Sequence, residues 1–135
     1  MAKILVVDDD RHIREVVRFA LEQAGHLVTE AEDGRCALAH FTATPFDLIV
    51  ADIRMEGMDG LEALERTKQQ QPDIGSLVVS GYASDEEVAR AQNLQVGGYL
   101  KKPFRMNEFL DLVRGELRGR YRGEPARRSP PAGRG

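Results

Sequence analysis

The length, composition and charge of the chain restrict the class of protein it can be. Its 135 residues suffice for one domain with a buried core, and no stretch approaches the run of about 20 apolar residues that a membrane span needs. The N-terminus has four apolar residues followed by three aspartates, which is too short and too acidic for a signal peptide. The single cysteine, Cys36, cannot form an internal disulfide, which is compatible with a reducing cytoplasm, where we expect the protein.

The net charge of −3 combines two regions of opposite sign. Residues 118–135 contain six arginines and one glutamate, a charge of +5, so residues 1–117 carry −8. An acidic body argues against nucleic-acid binding by the folded part, because contacts with phosphates supply most of such affinity. It would suit a divalent cation. We therefore predict a folded domain over residues 1–117 and a basic tail, rich in Pro, Gly and Arg, over residues 118–135. The tail has almost nothing to bury and should be disordered.

The hydrophobic pattern of the folded part predicts five strands that alternate with five helices. The strands are short apolar runs, and each is followed by apolar residues at helical spacing; in the first helix these are Ile13, Val16, Val17, Ala20, Leu21 and Ala24. The predicted strands are Ile4–Val7, Leu27–Ala31, Leu48–Ala51, Ser76–Ser80 and about Gly98–Lys101. This alternation implies parallel pairing through right-handed crossovers. We predict an α/β fold: a doubly wound, flavodoxin-like five-stranded parallel sheet, for which the strand order 2-1-3-4-5 is suitable.

Side chains that can cap a helix precede four of the predicted helices. Asp10, Asp33 and Asp59 each stand at such a position, and Ser84 begins the sequence Ser-Asp-Glu-Glu of a capping box, completed by Glu87. The histidines show no metal-ligand spacing, and we predict them at the surface.

Polar side chains follow four of the predicted strands and should share one crevice. Asp8 and Asp9 follow the first strand, Asp52 the third, Ser80 ends the fourth, and Lys102 follows the fifth. In open parallel sheets, ligands bind outside the carboxyl ends of the strands. We therefore expect three acids, a hydroxyl and a lysine to meet at one edge of the sheet.

This set of side chains is suited to phosphoryl transfer. Asp8, Asp9 and Asp52 offer the hard oxygen ligands that Mg²⁺ prefers, and a carboxylate is a competent nucleophile that would form an aspartyl phosphate. The transition state spreads negative charge over the equatorial oxygens and needs a metal, a cation and hydrogen-bond donors. Lys102 can be the cation and Ser80 the donor.

From residue 3 to about residue 117 the chain closely resembles the receiver domains of two-component response regulators. The resemblance implies that Asp52 is the phosphoacceptor and that Lys102 binds the phosphoryl group. It also implies that Ser80 and Tyr99 form a switch, in which the ring of Tyr99 swings inward when Ser80 moves. The motifs that carry it are Ile4 to Asp10, Asp47 to Gly60, Val78 to Gly81 and Tyr99 to Phe104.

The resemblance also implies a Mg²⁺ site, a set of partners and a backbone detail. Asp9 and Asp52 would bind the metal directly, Asp8 through water, and the backbone carbonyl of Arg54 would be a further ligand. The expected partners are a sensor histidine kinase or a histidine phosphotransfer protein and a downstream effector protein, with no membrane contact. Lys102-Pro103 would be a cis peptide. The sequence departs from the family where Gln95-Val96 replaces the usual Gly-Ala before the fifth strand.

Several other functions are compatible with parts of this pattern. A phosphatase of the haloacid dehalogenase type also uses a strand-end aspartate, but Asp8-Asp9-Asp10-Arg11 fits its motif poorly. A flavodoxin-like cofactor binder needs a phosphate loop after the first strand, where three aspartates have the wrong charge. An unphosphorylated pseudo-receiver that acts as a scaffold usually lacks a key residue, and none is missing. The chain could also be the receiver fragment of a larger regulator.

Overall fold

The computed structural model describes residues 2–53 and 60–121, with side chains described up to residue 118. Five strands alternate with five helices in this part of the chain. The strands are β1 (Lys3–Val7), β2 (Leu27–Ala31), β3 (Leu48–Asp52), β4 (Gly75–Ser80) and β5 (Gly98–Lys101). The helices are α1 (Arg11–Gln23), α2 (Gly34–Ala43), α3 (Gly60–Gln70), α4 (Asp85–Asn93) and α5 (Met106–Tyr121).

The strands form one parallel sheet in the order β2-β1-β3-β4-β5, which confirms the predicted fold class and topology. Every residue of β3 and β4 is buried, because helices cover both faces of the sheet. Alternate residues of β1 enter two separate cores: Leu5 and Val7 pack with Ile49 on one face, and Ile4 and Val6 pack with α1 and α5 on the other. Full burial of such a side chain contributes about 1.5–3 kcal/mol.

The predicted capping side chains begin the helices as expected wherever the structure describes them. Asp10 accepts hydrogen bonds from two backbone N–H groups in the first turn of α1, at 2.9 and 3.3 Å, and Asp33 accepts one in α2 at 2.8 Å. Ser84 and Glu87 form the complete capping box of α4. Asp59, the predicted cap of α3, lies outside the described residues.

The apolar face of α1 is narrower than predicted. Val17 and Leu21 are buried, whereas Val16 is 42% exposed and Ala24 is also exposed. Val16 lies about a quarter turn from Val17 around the helix axis, beyond the strip that contacts the sheet. Ala24 follows the last residue of α1, where the chain turns away from the core.

The C-terminal helix continues past the predicted end of the domain. α5 extends to Tyr121, four residues beyond residue 117. Residues 122–135, which hold most of the predicted basic tail, lie outside the described residues, so the division of the chain at 117 stays a prediction. Within residues 2–53 and 60–121, no helix has the length and apolar character that crossing a membrane requires.

The surface position predicted for the histidines is found for His12 only, because His40 is half-buried and so is His26. Its Nδ1 atom accepts a hydrogen bond from the backbone N–H of Ala2 at 3.2 Å. Burial lowers the pKa of His26. Both observations favour the neutral imidazole, because only an unprotonated Nδ1 can accept a hydrogen bond.

We expect acid to destabilise the wild-type protein more than a His26→Asn variant. The pKa of His26 is lower in the folded state than its unfolded value of about 6.5. Its contribution is therefore present above that value and is lost as the pH falls below it. Urea unfolding at pH 7.5, 6.5 and 5.5 measures the effect as a difference between the two proteins, since other groups titrate in both. Parallel stability curves would contradict the prediction.

Gln95 adopts a left-handed backbone conformation, with a φ of 61°. It follows the C-cap of α4, Leu94, at the position where the resemblance implies glycine. A side chain in this conformation is disfavoured, because Cβ approaches the following carbonyl oxygen. Glutamine at this position therefore makes the backbone conformation less favourable than glycine would.

A Gln95→Gly substitution should raise the free energy of unfolding by about 1 kcal/mol, because glycine adopts a positive φ without this penalty. The matched control is Gln92→Gly, in the right-handed part of α4 and also exposed. That change should lower stability by roughly 0.5–1 kcal/mol. Chemical denaturation of both variants tests the assignment, and a loss of stability in both would refute it.

Candidate functional site

Three carboxylates lie together at the carboxyl end of the sheet. β1 pairs with β3, with Val7 opposite Ala51, so the next residues, Asp8 and Asp52, stand side by side. Asp8 is 4% exposed and Asp52 is 7% exposed, whereas Asp9 is open to solvent. One carboxylate oxygen from each of the three residues lies within 4.8 Å of the others. The structure therefore brings together the three acids that the sequence pointed to.

Lys102 extends its side chain from the far side of β4 to two of these carboxylates. Its Nζ atom donates hydrogen bonds to Asp8 Oδ2 at 2.8 Å and to Asp52 Oδ2 at 2.9 Å. The backbone of Lys102 is fixed by a hydrogen bond, which its N–H donates to the Ser80 carbonyl at 2.9 Å. The peptide bond between Lys102 and Pro103 is cis, as the resemblance implied.

The charges of these side chains favour a cation in the crevice. Burial raises the pKa of Asp8, although hydrogen bonds from Lys102 and from the Asp10 backbone oppose the rise. Burial alone would lower the pKa of Lys102, but its hydrogen bonds to Asp8 and Asp52 outweigh burial and raise it, so the ammonium stays charged. Counted at their formal charges, one lysine and three aspartates leave two negative charges in this set of four side chains. A divalent cation would balance them, and oxygen donors are those that Mg²⁺ prefers.

Ser80 ends β4 beside the acids and is 1% exposed. Asp52 pairs with Val79, so Ser80 lies one residue further toward the carboxyl edge. Its hydroxyl donates a hydrogen bond to the backbone carbonyl of Tyr82 at 3.0 Å. The hydroxyl is therefore bound to the loop between β4 and α4.

Tyr99 lies on the edge strand β5 and is 38% exposed. Burial of the phenol raises its pKa, and the negative charges of Glu87 and Asp52 raise it further. The ring thus lies within electrostatic reach of both α4 and the acid cluster. Arg54, the expected backbone ligand, lies outside the described residues.

Arg14 contacts Asp8 directly, which the sequence pattern did not indicate. Arg14, on α1, donates from Nη1 to the backbone carbonyl of Asp8 at 2.7 Å and from Nε to Glu30 at 3.0 Å. Its side chain is only 12% exposed. One signal was available, because Arg14 lies three residues before Val17 and seven before Leu21, on the buried side of α1.

Sequence similarity to a protein family agrees with this fold and site. The model of the response regulator receiver domain matches residues 4–114. The chain belongs to the receiver domain family of two-component response regulators. Phosphorylation by a kinase is the standard function of that family. Membership disfavours the phosphatase and cofactor-binding alternatives.

Individual relatives show the same likeness. The chain is 32% identical over 126 residues to the transcriptional regulatory protein FixJ of Bradyrhizobium diazoefficiens, covering 93% of the chain and 60% of FixJ. A CheY-like receiver domain protein from Methanospirillum hungatei superposes with a TM-score of 0.88 at 29% identity, covering 91% of the chain and 98% of that structure. The response regulator TrrA from Thermotoga maritima, in complex with Mg(2+)-BeF, gives a TM-score of 0.77 at 30% identity, covering 84% and 97%.

Removing one acid from the crevice should stabilise the fold in the absence of divalent cations. We expect Asp9→Asn to raise the free energy of unfolding in the presence of a chelator by about 0.5–1 kcal/mol, because it relieves repulsion between the exposed Asp9 and the two buried carboxylates. The control is Glu86→Gln, which removes an exposed charge from the first turn of α4. That change should lower stability by about 0.3–1 kcal/mol, since the acid complements the helix dipole. Equal effects of both substitutions would exclude local repulsion as the cause.

Proposed function

We propose that this domain accepts a phosphoryl group on Asp52 in a Mg²⁺-dependent reaction. The donor would be a phosphohistidine of a sensor kinase or of a histidine phosphotransfer protein, and we place the exchange in the cytoplasm. The observation that carries the proposal is the arrangement around Asp52: a shielded carboxylate within 4.8 Å of two further acids, with an ammonium at 2.9 Å. Self-phosphorylation and slow self-dephosphorylation would be its only catalysis.

In the proposed reaction an oxygen of Asp52 attacks the phosphorus atom of the donor. The new P–O bond forms while the P–N bond to the histidine breaks, and the imidazole leaves and takes up a proton. The nucleophile is a carboxylate oxygen, which attacks in its charged form. Lys102 holds Asp52 in place and can follow the charge as it moves onto the phosphoryl oxygens.

The carboxylates of Asp9 and Asp52 would hold Mg²⁺ directly, with Asp8 acting through water and the Arg54 carbonyl completing the protein ligands. Bound there, the ion would neutralise charge that develops on the phosphoryl oxygens. The excess of two negative charges in the crevice supports this assignment. The TrrA complex with Mg(2+)-BeF supports it by analogy, since TrrA is similar over 84% of the chain.

Ser80 and Tyr99 would convert the modification into a change of surface. A hydroxyl has one proton to donate, so Ser80 can bind a phosphoryl oxygen only by releasing the Tyr82 carbonyl. That release would move the loop before α4, and Tyr99 would turn inward to follow it. The altered face, made of α4, β5 and α5, would bind a downstream effector protein. The chain spans 60% of the length of FixJ.

Acetyl phosphate with Mg²⁺ should add one phosphoryl mass to the wild-type protein and none to Asp52→Asn, as read by intact mass spectrometry. A chelator should abolish the gain, because the metal neutralises the transition state. The matched control is Asp10→Asn: it changes a neighbouring acid, and asparagine caps a helix as well as aspartate does. This control should be labelled like the wild type.

Two outcomes would contradict the proposal. Label on Asp52→Asn equal to that on the wild type would place the phosphoryl group elsewhere. A folded wild type that gains no mass, either from acetyl phosphate or from a phosphorylated histidine kinase, would favour the phosphorylation-independent scaffold.

A further inference from the structure

Asp8 is held from four directions, and one of the groups that hold it is Arg14. The N–H of Asp8 donates to the carbonyl of Ala31 at 3.1 Å. The two carboxylate oxygens of Asp8 accept from the Asp10 N–H and from Lys102. Its carbonyl accepts from Arg14 Nη1 at 2.7 Å, the shortest of these contacts. Every hydrogen-bonding group of this residue is therefore engaged with a named partner.

The Asp8 carbonyl belongs to the same planar peptide unit as the N–H of Asp9. Fixing the direction of that carbonyl fixes the peptide plane that contains the Asp9 Cα atom, and so limits the positions that the Asp9 carboxylate can reach. Asp9 is the exposed member of the acid cluster and has little packing to orient it. Arg14 is thus placed to orient Asp9 without touching it.

We propose that Arg14 is a positioning residue for the metal site, which orients the Asp8-Asp9 peptide so that Asp9 and Asp52 can bind Mg²⁺ together. The inference rests on the proposed function, in which those two carboxylates are direct ligands. Groups behind metal ligands commonly determine affinity in this way, and their removal typically costs 10- to 100-fold.

The guanidinium of Arg14 is itself held in place by Glu30 on β2. Glu30 accepts from Arg14 Nε at 3.0 Å and from Arg18 Nη1, also at 3.0 Å. Two arginines therefore share one carboxylate. The side chain of Arg14 is 12% exposed and also donates a hydrogen bond to Asp8. The side chain of Arg18 is 45% exposed, and its other partner is Glu22. Arg18 is a matched control within the chain.

Charge and position predict opposite effects of removing Arg14. Losing a positive charge near the acid cluster would, by electrostatics alone, strengthen the binding of a divalent cation. Losing the orientation of the Asp8-Asp9 peptide would weaken it. The direction of the change in Mg²⁺ affinity therefore separates the two explanations.

The experiment is a Mg²⁺ titration of wild type, Arg14→Met and Arg18→Met, followed by the backbone amide NMR signals of residues 8–10. We expect the dissociation constant to rise about tenfold in Arg14→Met, at the lower end of the range for such groups, and to stay near the wild-type value in Arg18→Met. The signals of folded protein report binding separately from any loss of stability. Unfolding in the presence of a chelator gives the stability of each variant independently.

If Arg14→Met does not fold, Arg14→Lys decides the question, because it keeps the charge but lacks the planar fork that binds two acceptors at once. Weaker binding in that variant supports the inference, and wild-type affinity overturns it. Unchanged or tighter binding in Arg14→Met, or equal changes in Arg14→Met and Arg18→Met, would also overturn it. A wild type that binds no Mg²⁺ would mean that the proposed metal site is wrong, and this inference would fail with it.

Discussion

The site depends on one ammonium group shared between two buried carboxylates. Asp8 and Asp52 end neighbouring strands, and each is less than a tenth exposed, so their charges are poorly screened by water. Lys102 offsets their repulsion with hydrogen bonds of 2.8 and 2.9 Å. Because the lysine follows β5, at one edge of the sheet, the acids from β1 and β3 gain this counter-charge only when β4 and β5 have joined those strands. Assembly of the site therefore requires strands that are far apart in the chain to pair in one sheet.

The sequence was sufficient for those features that depend on local pattern and on parallel pairing. Runs such as Leu48–Ala51 predict strands buried on both faces, and caps such as Ser84 predict where helices begin. Parallel pairing then places residues after neighbouring strands at one edge, so the meeting of Asp8 with Asp52 follows from strand order alone. The cis bond before Pro103 came from the family resemblance and from no pattern in the chain.

The contacts that the sequence did not predict join residues far apart in the chain. Arg14 meets Glu30 only once β2 has paired with β1, and periodicity says nothing of which helix residue faces which strand residue. Glu116 of α5 is a second example, since its carboxylate accepts a hydrogen bond of 3.1 Å from the backbone N–H of Ser76, 40 residues away. That carboxylate occupies the space where a side chain on Gly97 would lie, which is a reason for glycine there that only the folded structure reveals.

The site and the proposed output surface are connected by a very short segment. Ser80 ends β4, and the capping box of Ser84 and Glu87 fixes the first turn of α4, so only residues 81–83 lie between two well-held elements. The Ser80 hydroxyl is bound to the middle of this segment, at the Tyr82 carbonyl. Under the proposed function, a phosphoryl group that competes for that hydroxyl would act on three residues only. A small change at the acid cluster would then reach the surface as movement of one loop, while the sheet and helices that hold the cluster together stay in place.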